Sequence, residues 1–289
     1  MKIITTLEAL QQERKQLAKE HKSVGYVATM GFLHEGHQAL MKRSKAENDI
    51  TVLSIFVNPL QFGEGEDFET YPRDAERDQL IAEQEGVDIV FMPEAAAMYP
   101  GESTIKLQVT DRVDVLCGKS RPGHFDGVVT VLSKLFHLIQ PDHAYFGLKD
   151  AQQVAVVQAL VHDLNFPLEV VPVPTVREAD GLAKSSRNVY LSEHERQAAP
   201  AIYQALQQAK QCIQGGEKDA LRIVSAVKEF INSETNGRID YVEILSYPAL
   251  QPVGKIEARI IIAAAVYFDK ARLIDNLVLE ADGSIMDRF

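Results

Sequence analysis

An α/β fold, with a doubly wound parallel sheet followed by a smaller α+β domain, is what the sequence predicts. Short apolar runs alternate with amphipathic stretches as far as about Pro174, the pattern of parallel strands joined by crossover helices. Beyond that point the texture changes to two helical stretches, 193–213 and 218–231, separated by Gly215-Gly216 and followed by the strand-like runs YVEILS and ARIIIAAAVYF. A chain of 289 residues with 46% hydrophobic content is long enough to bury the core of one large domain or two smaller ones.

The elements follow in order. VGYVAT is the first strand, with its body at Gly25 to Thr29, Gly31 in the loop after it, and Gly36 opening a helix at His37. ITVLSIFVN is the next, followed by a polar loop and a charged helix from Asp74. VDIVFMP, a helix from His124, AYFG, a helix from Lys149 and LEVVPVPTV complete the alternation. MKIITTLEALQQERKQL turns amphipathic and charged where a signal peptide would continue apolar. No run approaches the roughly 20 apolar residues that span a bilayer, so a cytoplasmic protein is expected. Cys117 and Cys212 stand far apart with no CxxC partner and make neither a disulfide framework nor a zinc site. No internal repeat or low-complexity tract appears.

The net charge of -11 argues against a nucleic-acid surface, which needs excess Lys and Arg to displace counterions. An anionic ligand therefore needs a local exception, and HEGH, CGKSRPGHFDG and GLAKSSRN each gather cations in this acidic chain. In parallel sheets ligands sit beyond the carboxyl ends of the strands, where TMGFLHEGH, VNPLQFG and FGLKD all fall. His34 and His37 flank the start of a helix whose backbone N–H groups and dipole suit an anion, phosphate above all. Imidazoles can donate to phosphate oxygens as a leaving group gains charge. Two metal ligands, or two surface histidines with no role, are the alternatives. The strand, glycine, histidine, helix context favours the anion.

His34-Glu35-Gly36-His37 after a first strand resembles the HxGH signature of the nucleotidyltransferase superfamily, which includes the class I aminoacyl-tRNA synthetases. GLAKSSRN resembles that superfamily's second, lysine- and serine-rich loop. TMGFLHEGH, SIFVNPLQFG, YPRD, GKSRPGHFDGVVTVLSKLFHLIQPDHAYFGLKDAQQ and DGLAKSSRNVYLS together are similar to the pantoate–β-alanine ligase family along essentially the whole chain. The resemblance implies a Rossmann-like nucleotide- and pantoate-binding domain at 1–175 and a smaller lid domain at 176–289. It implies ATP-dependent condensation of (R)-pantoate with β-alanine through a pantoyl adenylate, yielding pantothenate (a coenzyme A precursor), AMP and pyrophosphate. Mg²⁺ as cofactor, a homodimer, and no nucleic-acid or membrane partner are implied as well.

By the same resemblance ATP is met by Met30, Gly31, His34, Gly36, His37, Gly147, Lys149, Asp150, Val176, Lys184, Ser185, Ser186 and Arg187. His37, His34 and Lys149 are the catalytic set, with His37 donating to the departing pyrophosphate. Gln61 holds pantoate and then β-alanine, and Gln153 holds pantoate; an amide offers donors and an acceptor without added charge. Lys149 acts as a point charge on phosphate, Asp150 as acceptor for ribose hydroxyls, and Val176 meets adenine through its backbone. Gln152 is expected to face elsewhere. The 184–187 loop is expected to close over ATP and exclude water that would hydrolyse an adenylate. SEHE after it reads as a capping box. Lys119, Arg121 and His124 border the site with no assigned role. Ala151 and His137 depart from the family pattern and bear on local packing. A nucleotidyltransferase that keeps the nucleotide in its product, or a nucleotide sensor, is the rival reading; a sensor would have lost the histidines or Lys149.

Overall fold

A computed structural model describes residues 1–63, 65–66 and 68–286. The chain divides into two compact units. The first comprises residues 1–113, 118–147 and 156–173; the second comprises 114–117, 148–155 and 174 onward. The last three residues of the expected second domain, 287–289, lie outside the described residues.

The first unit carries a six-stranded sheet of β1 (Lys2–Ile4), β2 (Val24–Thr29), β3 (Ile50–Ile55), β4 (Ile89–Phe91), β5 (His143–Gly147) and β6 (Glu169–Val173), in the order β1-β4-β3-β2-β5-β6. Every pairing in it is parallel. The crossovers carry α1 (Leu7–Lys19), α2 (Glu35–Glu47), α3 (Ala75–Gln84), α4 (Ala95–Met98), α5 (Leu116–Ser120), α6 (His124–Ile139) and α7 (Ala151–Asp163). The chain winds outward from β2 through β3 to β4, then returns to β5 on the other flank of β2. The winding direction therefore switches between β2 and β5, the place where open α/β sheets leave a crevice at the carboxyl ends of the strands.

Burial explains why these strands read as unbroken apolar runs: helices cover the sheet, so alternation is lost. Val27, Leu53, Val90 and Tyr145 pack with Leu33, Leu40 and Met41 in one fully enclosed cluster. Removing a side chain such as Met41 costs about 2–5 kcal/mol, because the gap cannot close. β1, a three-residue edge strand, is not apparent in the sequence, where KII precedes a charged helix. α2 begins at Glu35, two residues before the expected start, since His34 serves as its N-cap. The turn at Leu148–Asp150 is 3₁₀, and α7 begins only at Ala151.

The second unit contains α8 (Glu193–Ala198), α9 (Ala201–Gln214), α10 (Ala220–Glu234) and an antiparallel sheet of β7 (Arg238–Ser246), β8 (Ile260–Tyr267) and β9 (Arg272–Leu279). The helical stretch expected over 193–213 is two helices, broken at Pro200, whose missing N–H cannot continue the ladder. The capping box at its start is present, Ser192 and Glu195 exchanging hydrogen bonds. β8 is buried on both faces: Ile260, Ile262, Ala264 and Val266 meet α9 and α10 residues, while Ile261 and Ala263 pack with Tyr247, Ala151 and Leu116. Among the described residues no helix is long and apolar enough to cross a membrane. Cys117 and Cys212 are thiols.

Candidate active site

In the first unit the chain leaves β2 through Met30 and turns at Gly31 (φ 88°) and Phe32 (φ 51°). The carboxylate of Asp78, on α3 and only 1% exposed, accepts the Phe32 and Leu33 N–H groups at 2.8 and 2.7 Å. A Cβ on Gly31 would lie 2.9 Å from that carboxylate, so the turn needs glycine twice over, for its φ and for space. Asp78 holds the loop in place, and no spacing in the sequence pointed to it.

The two histidines form a reciprocal cap. His34 Nδ1 accepts the Gly36 N–H at 3.1 Å, and His37 Nδ1 accepts the His34 N–H at 3.3 Å. An acceptor nitrogen carries no proton, so both imidazoles are neutral with the proton on Nε2. Their rings lie 4.1 Å apart, tilted by 35°. A neutral imidazole with its proton on Nε2, at a helix N-terminus, can donate to an anionic oxygen without prior protonation. The Gly36 N–H, expected for an anion, is used by the His34 ring. Glycine at 36 has a local cause as well: a Cβ there would lie 2.8 Å from His34 Cε1.

At the end of the adjacent strand β3, Gln61 closes the 3₁₀ turn Pro59–Gln61. Asn58, buried to 1% exposure, donates to Gln61 Oε1 at 3.0 Å and to the Gly127 carbonyl at 3.1 Å, and accepts from Tyr99 OH at 2.8 Å. Gly127 lets the turn touch α6, since a Cβ would sit 2.2 Å from the Leu60 carbonyl. Gly147 ends β5 on the other side of β2. The first unit thus gathers Met30, Gly31, His34, Gly36, His37, Gln61 and Gly147 along the carboxyl edge of three neighbouring strands.

The second unit holds the remaining expected residues. The Leu148 and Lys149 carbonyls both accept from Asn276 Nδ2, at 3.0 and 2.8 Å. Its neighbour Asp275 makes a two-pronged ion pair with Arg177, at 2.6 and 2.9 Å, and Arg177 also donates to the Gly181 carbonyl at 3.1 Å. The guanidinium lies 3.7 Å over the Tyr203 ring, against which Gly181 (φ 94°) turns with no room for a Cβ. Two consecutive buried polar residues of β9 therefore fix the Lys149 turn and the hairpin that leads into Lys184. Val176 accepts the Lys184 N–H at 2.9 Å, and the Lys184 ammonium sits 2.8 Å from Glu178. Ser185 caps the turn Ser186–Tyr190 through the Arg187 N–H. Val189 and Tyr190, directly after this loop, are 63% and 37% exposed. Lys149 Nζ lies 3.7 Å from Asp150. Gln153 is half-buried on the first turn of α7, whereas Gln152 is buried and bonded to the backbone of Val115 and Cys117, a packing role.

Among the described residues no group of three or more His, Cys, Asp or Glu is placed to hold a metal ion. Imidazoles at the switch point of a parallel α/β sheet suit an enzyme that handles nucleotide phosphates. The sequence model of the pantoate-beta-alanine ligase family matches residues 2–278, and the chain belongs to that family. It is 60% identical over 280 residues to pantothenate synthetase of Geobacillus thermodenitrificans, covering 97% of each chain. It is 56% identical over 280 residues to that of Bacillus subtilis, covering 97% of this chain and 98% of the relative. The structure of pantothenate synthetase from Thermus thermophilus is similar with a TM-score of 0.90 at 44% identity, over 97% and 99% of the two chains. That of pantoate-beta-alanine ligase from Francisella tularensis, complexed with beta-gamma ATP and β-alanine, gives 0.80 at 34% identity, over 96% and 97%.

Proposed function

We infer that the chain is a pantoate–β-alanine ligase, joining (R)-pantoate to β-alanine at the expense of ATP to give pantothenate, AMP and pyrophosphate. The observation that supports the reading is the reciprocal cap of His34 and His37 at the start of α2, which directs each Nδ1 to a backbone N–H and so leaves the ring proton on Nε2. A carboxylate is a poor electrophile, so a pantoate carboxylate oxygen attacks the α-phosphorus of ATP and the bond to the β-phosphate breaks. Met30 to His37 wrap the phosphates, and His37 Nε2–H donates to the departing pyrophosphate while His34 supports the same oxygens. Lys149 and Lys184, with Ser185, Ser186 and Arg187, supply further charge and hydroxyl donors; Lys184 exchanges Glu178 for phosphate to do so. Asp150 takes the ribose, the backbone at Val176 the adenine, and Gly147 the close approach of the nucleotide.

Gln61 and Gln153 hold pantoate, and Gln61 then receives β-alanine. The amine attacks the acyl carbon of pantoyl adenylate, AMP leaves, and the amine loses a proton. Residues 1–175 act as the nucleotide- and pantoate-binding domain and 176–289 as the lid. Mg²⁺ would accompany ATP and offset the charge on its phosphate oxygens. A cytoplasmic homodimer completes the proposal. The test is ATP turnover with Mg²⁺ and pantoate, with and without β-alanine. AMP and pantothenate in equal amounts, only when both acids are present, supports the reading; a product that retains the nucleotide overturns it.

A further inference from the structure

Arg121 and His124 have no part in the reaction as drawn, yet both converge on a residue that does. His124 Nδ1 lies 2.8 Å from the Gln61 carbonyl oxygen, and an Arg121 terminal nitrogen lies 3.3 Å from the same oxygen. A carbonyl only accepts, so His124 carries its proton on Nδ1. The other terminal nitrogen of Arg121 is 3.2 Å from His124 Nε2. A guanidinium only donates, so Nε2 is an acceptor and the ring is neutral. Glu66 completes the arrangement with two contacts to Arg121, at 2.7 and 2.6 Å. Burial alone would raise the Glu66 carboxyl, but the Arg121 hydrogen bond and charge outweigh it and hold the group below its ordinary range. The His124 ring also packs edge-on against Phe125, 5.0 Å away.

Arg121, in the turn before α6, and His124, the first residue of α6, thereby grip the backbone of Gln61, while Asn58 grips its side-chain oxygen. An amide that must meet a hydroxy acid, and then an amino acid, gains from being fixed at both ends, because it then orders less on binding. We propose that Arg121 and His124 are positioning residues, a clamp on the Gln61 carbonyl that sets the Gln61 amide for the two carboxylate substrates. The proposal rests on the reading of Gln61 as the pantoate and β-alanine ligand.

Steady-state kinetics of the full chain separate the two. His124→Ala should raise KM for pantoate and β-alanine about tenfold, the worth of one buried hydrogen bond, with kcat and KM for ATP moved less than about threefold. His124→Asn, whose amide N–H can replace Nδ1–H, should return both KM values to within about threefold of the parent. Gln61→Ala with His124→Ala should be no worse than Gln61→Ala alone by more than about twofold, since the clamp acts through Gln61. Should His124→Ala fail to melt cooperatively, His124→Leu against His124→Asn carries the same contrast. Unchanged KM values in His124→Ala beside a raised KM in Gln61→Ala overturn the clamp alone, as do equal losses in His124→Asn and His124→Ala, or additive losses in the double variant. A Gln61→Ala enzyme with parental KM values overturns the reading of Gln61, and the clamp with it.

Discussion

The histidine loop and the lysine turns reach their places in opposite ways. His34 and His37 are fixed by each other and by Gly36, partners two or three residues apart. The Lys149 turn and the Gly181 hairpin are fixed by Asn276 and by Asp275 through Arg177, partners 98 to 128 residues apart. A site built from neighbours travels as a motif, while one built across the chain depends on the whole unit folding around it.

Removing the proposed phosphate contacts should give the largest effects. His37→Ala and Lys149→Ala are each expected to lower kcat about 10²-fold or more, as loss of a placed donor or charge does; parental turnover in either would contradict the site assignment. The next test sharpens the contrast. His34→Asn keeps an N-cap acceptor but removes the imidazole, so turnover should fall about 10²-fold while the melting temperature stays near the parent's. A large loss of stability would mean that the ring does more than cap α2.

On the distributed side stability and activity should fall together. Asp275→Ala leaves the Arg177 guanidinium without its buried partner, a change expected to cost about 3–5 kcal/mol by denaturant unfolding. Asn276→Ala strips two backbone carbonyls of their donor and should lower kcat/KM for ATP about tenfold. If either variant matched the parent in stability and ATP kinetics, the network would be incidental to the lysine turn. The smallest effect concerns Glu66. Its carboxyl is held below the ordinary value of 4.5, so the folded state gains from it above that pH and loses the gain as pH falls through the lowered value. Parent minus Glu66→Gln stability should therefore be positive near pH 7 and shrink toward zero in acid, which a urea midpoint series will show.

What the sequence reveals follows the same division. Strands β2 to β5 are plain because helices bury both faces, and the histidine cap is plain because its members are contiguous. β9 is hidden because Asp275 and Asn276 interrupt RLIDNLVL, and they are the two residues that hold the lysine side. Asp78 is hidden for a related reason: one buried carboxylate among the charges of α3 looks like its exposed neighbours until its partners, 45 and 46 residues away, are known. Arg121 and His124 are visible as a cationic cluster, but only the fold shows that they face a carbonyl.

The exposure of Tyr190 has a spectroscopic use. The chain contains no tryptophan, so Tyr190→Trp would place a single indole just beyond the Lys184 to Arg187 loop, on a surface that accepts its bulk. Its emission would respond to events at that loop against a background of tyrosine alone, giving a direct optical test of the proposed nucleotide contact in an otherwise unlabelled enzyme.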